Sequence, residues 1–177
     1  RALALGRKVT VCHVMRYHAL VTAIREILDS GELGRVVNVK HTENVGNWHM
    51  AHSFVRGNWR NSVESSPMIL QKCCHDVDIL LWLTGKKCKS VSSFGSLRYF
   101  RKENAPEGAP EYCIDGCPHG DTCYYNAVKF YVDIKDMSWH RIAATGLSSH
   151  PTYDEMEAAM DKAMHTTQYG KCVYKCD

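Results

Sequence analysis

The stretch that most constrains this chain runs Ser65-Ser66-Pro67 through Trp82-Leu83-Thr84-Gly85. Ser66 suits an N-cap, Pro67 the first helical position, and Gly85 the left-handed residue that ends a helix, so the spacing predicts one helix over 67–84. On a 3.6-residue period Gln71, Lys72, His75 and Asp78 share a face, while Leu70, Val77, Leu81 and Trp82 pack elsewhere. An apolar helix that reserves one face for Lys, His and Asp offers that face to a ligand. A histidine can give or take a proton near neutrality, and Asp78, one turn on, is placed to fix its tautomer. Lys72 would polarise a hydroxyl or carbonyl or act on His75 through its charge. The competing reading makes His75 a satisfied core histidine and Lys72 and Asp76 a solvated edge.

With 177 residues, 45% of them hydrophobic, the chain can bury a sizeable core. Its 22 basic and 19 acidic residues are dispersed, for a net charge of +3, which gives nucleic acid no electrostatic purchase. No apolar run reaches membrane-spanning length and no signal-peptide layout opens the chain, so the expectation is a cytoplasmic protein without a membrane partner. Nine cysteines, an odd number, fit free thiols or a metal site better than a disulfide framework.

In chain order, the apolar run Val9 to Tyr17 reads as a strand buried on both faces. Leu20, Ile24, Ile27 and Leu28 mark an amphipathic helix over about 18–29, closed by Ser30-Gly31. Residues 36–45 and 90–100 alternate in polarity as half-exposed strands, and 172–177 reads as another, cut short. Between them, 46–66 is a loop whose Trp48, His49, His52, Arg56 and Trp59, with Gln71 of the central helix, supply flat rings beside fixed donors. That combination suits a sugar or cyclitol. Residues 124–132 read as a short helix. Thr152-Tyr153-Asp154-Glu155 is a capping box for a helix whose Met156, Ala159, Met160, Ala163 and Met164 form the buried stripe. Cys113, Cys117 and Cys123, with His119 among them, gather soft ligands in one loop, and Cys172 or Cys176 could complete a structural zinc set. Plain reduced cysteines are the alternative.

Three matches carry a family resemblance. Val14-Met15-Arg16-Tyr17 looks like a final Rossmann strand, and Ile27 to Val39 with Ser30-Gly31-Glu32-Leu33-Gly34 looks like a crossing helix entering a second domain. His75-Asp76-Val77-Asp78 followed by Trp82-Leu83-Thr84-Gly85 looks like an H-x-x-D helix. Together they resemble the glucose-fructose oxidoreductase, inositol dehydrogenase and rhizopine catabolism family, Gfo/Idh/MocA. The resemblance implies an α/β fold: residues 1–34 as the remnant of an NAD(P)-binding Rossmann domain, and 35–177 as a substrate and oligomerisation domain. That second domain would be an open mixed β-sheet with helices on one face.

The resemblance further implies oxidation of a sugar or cyclitol hydroxyl with NAD or NADP, and homo-oligomers through the sheet face. It places His75 at the catalytic histidine and Asp78 at the following carboxylate, with Lys72 as electrostatic helper, and Arg16 and Tyr17 near the nicotinamide. No G-x-G-x-x-G turn and no Glu-Lys-Pro segment occur, and Gln71 stands where the family often has Asp. The chain therefore reads as a fragment, inactive alone. A different class, a non-catalytic carbohydrate- or partner-binding module held together by Cys-ligated zinc, would also account for the missing cofactor motif.

Overall fold

A computed structural model describes residues 1–148 and 150–176. They divide into two compact units, one made of Arg1–Glu43 with Ile69–Ser93 and one of Asn44–Met68 with Phe94–Asp177. The boundary expected at residue 34 falls inside the first.

The described residues do not form the expected open mixed sheet. Among the described residues the only strand-type pairing is the antiparallel bridge between Tyr112 and Lys171. Val9–Tyr17 is irregular apart from a 3-10 turn at Val14–Tyr17, and 36–45 and 90–98 carry no regular structure. Alternating polarity is necessary for a strand, but a strand exists only through its ladder partner. Here Val37 and Val91 are 86% and 80% exposed, so these segments bury no common face. The segment 172–176 closes as a turn rather than a strand, and its last residue, Asp177, lies outside the described residues. The sheet face expected to carry association is accordingly missing among the described residues.

The first unit is built on α1 (Ala19–Ser30) and the central stretch. Gly31, at φ 77°, ends α1 where Ser30-Gly31 predicted. The central stretch is two helices instead of one, α2 (Met68–Gln71) and α3 (Cys74–Thr84), broken at Lys72-Cys73. Cys73 sits at φ −79°, ψ 4°, the conformation that closes a turn, while its carbonyl accepts from Val77 and starts α3. Gly85 at φ 62° closes α3 through its N–H to Leu81 O. Arg25 of α1 lies over the Trp82 ring at 5.4 Å and donates to the Trp82 carbonyl, joining α1 to α3. Val21 and Ile79 are its buried apolar side chains, and Leu20 and Ile27 of the expected stripe stay exposed.

The second unit holds the larger core. α4 (Trp139–Thr145) and α5 (Tyr153–Thr166) pack with a π-helical turn at Val128–Val132, enclosing Ala127, Tyr131, Ala144, Met156, Met160, Ala163 and Met164. The Thr152–Glu155 capping box forms in both directions, and the methionine stripe is buried as its period predicts. Gly170 packs so tightly on the end of α5 that a Cβ there would clash with the Met164 carbonyl.

The loop expected at 46–66 begins instead as one helical turn (Asn47–His49) running into π-helical Met50–Arg56, whose residues Ala51–Arg56 are buried. His52 and Arg56, read from sequence as substrate contacts, are each 2% exposed. The His52 ring reaches the Tyr131 hydroxyl at 2.7 Å and meets Trp139 edge-on at 4.9 Å. Burial holds its pKa down at about 4, with like charge on His140, His49 and Arg56 acting the same way. An unfolded imidazole titrates near ~6.5. The unfolded chain thus takes up a proton that the folded one refuses. Stability is full above that value, falls as pH drops through it, and levels off below about 4, a loss of about 3 kcal/mol. The urea midpoint of the second unit should fall between about pH 7.5 and pH 5, and a His52→Gln variant should lose that dependence. A wild-type midpoint flat across this range would refute the buried neutral histidine.

Candidate active site

The chemistry-bearing face of α3 lies within the first unit. Asp78 does not orient His75. It takes a two-pronged bond from Arg16 of the Val14–Tyr17 turn, Nε to Oδ2 at 2.7 Å and Nη2 to Oδ1 at 2.5 Å, with His13 Nδ1 3.4 Å from Oδ1. The fork geometry matches a guanidinium to a carboxylate. Arg16 holds the Asp78 carboxyl below the usual carboxylate range, and Asp78 in turn raises Arg16. His13 takes a left-handed φ of 46° just before this turn, a conformation a non-glycine residue seldom adopts.

One turn back, His75 borders a cavity of about 100 Å³ lined by Met15, His41, Glu43, Lys72, Asp76 and Ile79. His75 Nδ1 is buried with no hydrogen-bond partner, as is Asp76 Oδ2. The other Asp76 oxygen is 2.5 Å from His41 Nε2, and Lys72 Nζ lies 3.9 Å from Glu43 Oε1. Asp76 is therefore no solvated edge. Ligand atoms of His41, Glu43 and Asp76 lie within 4.8 Å of one another, the one set among the described residues close enough to hold a cation as it stands. Burial, with Asp76 and Glu43 nearby, pushes the Cys73 thiol up, which works against a thiolate there.

The structure brings Lys72 and His75 to one cavity and Arg16 to Asp78. Tyr17, 78% exposed, adjoins Arg16 in the same turn, and Gln71 is exposed at the end of α2. Trp48, His49, His52, Arg56 and Trp59 belong to the second unit. There Trp48 stacks on His49 with centroids 5.2 Å apart, and Trp59 packs against Phe54. Sequence reasoning passes over His13, His41 and Glu43 as site residues and takes Asp76 only as a solvated edge. His41 and Glu43 sit two apart in an alternating run, the one local signal that could have paired them.

Among known proteins, residues 21–114 match the family described as the GFO/IDH/MocA C-terminal domain. The chain is 29% identical over 122 residues to "Putative oxidoreductase YteT" of Bacillus subtilis (strain 168), an alignment covering 67% of the chain and 28% of the relative. It thus spans less than a third of that relative's length. No solved structure gives a significant match. The family match includes Lys72, His75 and Asp78, and begins after Arg16 and Tyr17. No helix among the described residues is long and apolar enough to cross a membrane.

Proposed function

Because the chain belongs to the GFO/IDH/MocA family, matched through its C-terminal domain, we propose that it supplies the substrate side of a nicotinamide-dependent oxidoreductase acting on a sugar or cyclitol hydroxyl. The observation that carries this reading is the His75 nitrogen, buried and unpartnered at a small polar cavity. A buried ring nitrogen without a partner costs free energy, so it marks a place where a substrate hydroxyl belongs.

In this reading His75 Nδ1 accepts the hydroxyl proton as the carbinol carbon is oxidised. Lys72, close to Glu43 but not in tight contact, steadies the oxygen as negative charge grows on it. Asp76 bonds His41, and that pair offers the proton a way out of the cavity. Asp78 locks Arg16, which sets the turn that carries Tyr17.

The residues present suit the nicotinamide end of a dinucleotide and no more of it. Tyr17 presents an exposed ring, and Arg16 Nη1 lies outside the Asp78 fork, whereas no glycine-rich turn in the chain would cradle a pyrophosphate. Arg16 and Tyr17 would hold that end, and the cofactor when bound supplies the hydride acceptor. The test is a fluorescence titration of the whole protein with NADH and NADPH. Saturable binding of one of them, weakened about tenfold or more in Arg16→Ala, is the expected result. Absence of binding by either would overturn the reading.

A further inference from the structure

Five of the nine cysteines lie together in the second unit, and the oxidoreductase chemistry uses none of them. The bridge between Tyr112 and Lys171 sets two distant segments side by side, with Cys113 N–H donating to Gly170 O and Cys172 N–H to Glu111 O, both at 2.9 Å. Cys113, Cys117, Cys123 and Cys172 line one small cavity together with His119 and Tyr174. Its volume is about 20 Å³, room for a single atom the size of a water molecule.

Two further observations point to an anionic sulfur cluster in that space. A backbone N–H already donates to one of these sulfurs, Tyr125 N–H to Cys123 Sγ at 3.4 Å. Ligands of a metal are commonly held by such outer bonds. The second is Arg56. It is 2% exposed, yet no carboxylate among the described residues pairs with it. Its bonds go to Lys171 O at 2.8 Å, Tyr125 O at 2.7 Å and, at 3.7 Å, to Cys113 Sγ. A buried cation without a counter-charge is costly. Four thiolates around a divalent ion carry a net charge of about −2 and would supply it.

We propose that Cys113, Cys117, Cys123 and Cys172 form a structural tetrahedral zinc site that pins the 113–123 loop to the closing turn of the chain. Four soft thiolates select zinc among common divalent ions, and the cavity of about 20 Å³ has room for one ion. Cys176 is left out because it does not line the cavity. His119 is left out because its Nε2 is held by Glu107 O at 2.8 Å and the four sulfurs complete the shell without it. No three of these sulfurs lie within 4.8 Å of one another, so tetrahedral coordination requires the loop to close further on the 172 turn.

The test is metal analysis of the full chain purified without chelator, with cobalt(II) exchange read by absorption. We expect about one equivalent of zinc and the intense tetrahedral ligand-field bands of a cobalt–thiolate centre. Both should be lost in Cys123→Ser and kept in Cys88→Ser, a cysteine of the first unit. Zinc below about a tenth of an equivalent, an iron–sulfur spectrum, or zinc retained in Cys123→Ser would each overturn the proposal. Should the serine variant fail to fold, the cobalt spectrum of the unaltered chain decides alone. Octahedral cobalt would then place the ion at the oxygen-bearing His41 set and refute the thiolate site.

Discussion

Exchange of His75 for alanine in the whole protein is expected to lower kcat and kcat/KM together by roughly 10²- to 10⁴-fold, with KM little changed. The two parameters fall in parallel because the proton is accepted only as the transition state is reached. Removing the group costs the ground state one hydrogen bond and the transition state the whole proton transfer, so the loss falls mainly on the latter. His75→Gln should be nearly as slow, since an amide fills the space without accepting the proton. Lys72→Met should slow turnover about tenfold, because it removes a single charge that acts from a partly solvated position. Turnover of His75→Ala within about threefold of the parent would make His75 a packing residue, and the site would have to be sought elsewhere.

Arg141→Ala should cost the second unit about 3–5 kcal/mol, the largest stability loss expected of a single change. The side chain is fully buried between α4 and α5. Its Nη2 donates to Glu157 Oε1 at 2.6 Å and its Nη1 to Asp136 O at 2.7 Å. Truncation orphans the Asp136 carbonyl, opens a cavity the size of a guanidinium stem, and leaves Glu157 to recover water at its half-exposed position. Arg141→Met separates packing from charge. It refills most of the volume, and should recover about half of the loss, because Nε is without a partner in the native structure as it is. Urea unfolding followed by tryptophan fluorescence would read both, Trp139 lying two residues away. A shift under about 1 kcal/mol for the alanine variant would mean that the pair contributes little to the unit.

What could be read from the sequence was mostly local. The α5 capping box needs only Thr152 and Glu155, three residues apart, and the ends of α1 and α3 need only Gly31 and Gly85. The break at Lys72-Cys73 has no such mark, because neither residue is Pro or Gly and the apolar pattern runs through it. The expected strands failed for a different reason. Alternation records which side chains are apolar and says nothing of whether a second strand lies alongside.

Helix spacing sets Lys72 and His75 on one face, and both do line one cavity. The partner of Asp78 is 62 residues away in sequence and could be reached only through the family likeness, which set Arg16 near the same cleft without pairing the two. His52 and Arg56 misled because aromatic and charged residues close together read as a ligand surface. In the fold they satisfy one another's neighbours instead, His52 on Tyr131 and Arg56 on the carbonyls of Tyr125 and Lys171.

The measurement that tests the central claim most directly is a single-turnover assay of the whole protein with excess NAD or NADP against a panel of sugars and cyclitols, following nicotinamide reduction. The account predicts hydride transfer from at least one polyol in the panel, slowed about twofold or more when the carbinol hydrogen is replaced by deuterium. A protein that binds the dinucleotide yet reduces it with no member of the panel would contradict the reading of the His75 cavity as a polyol site.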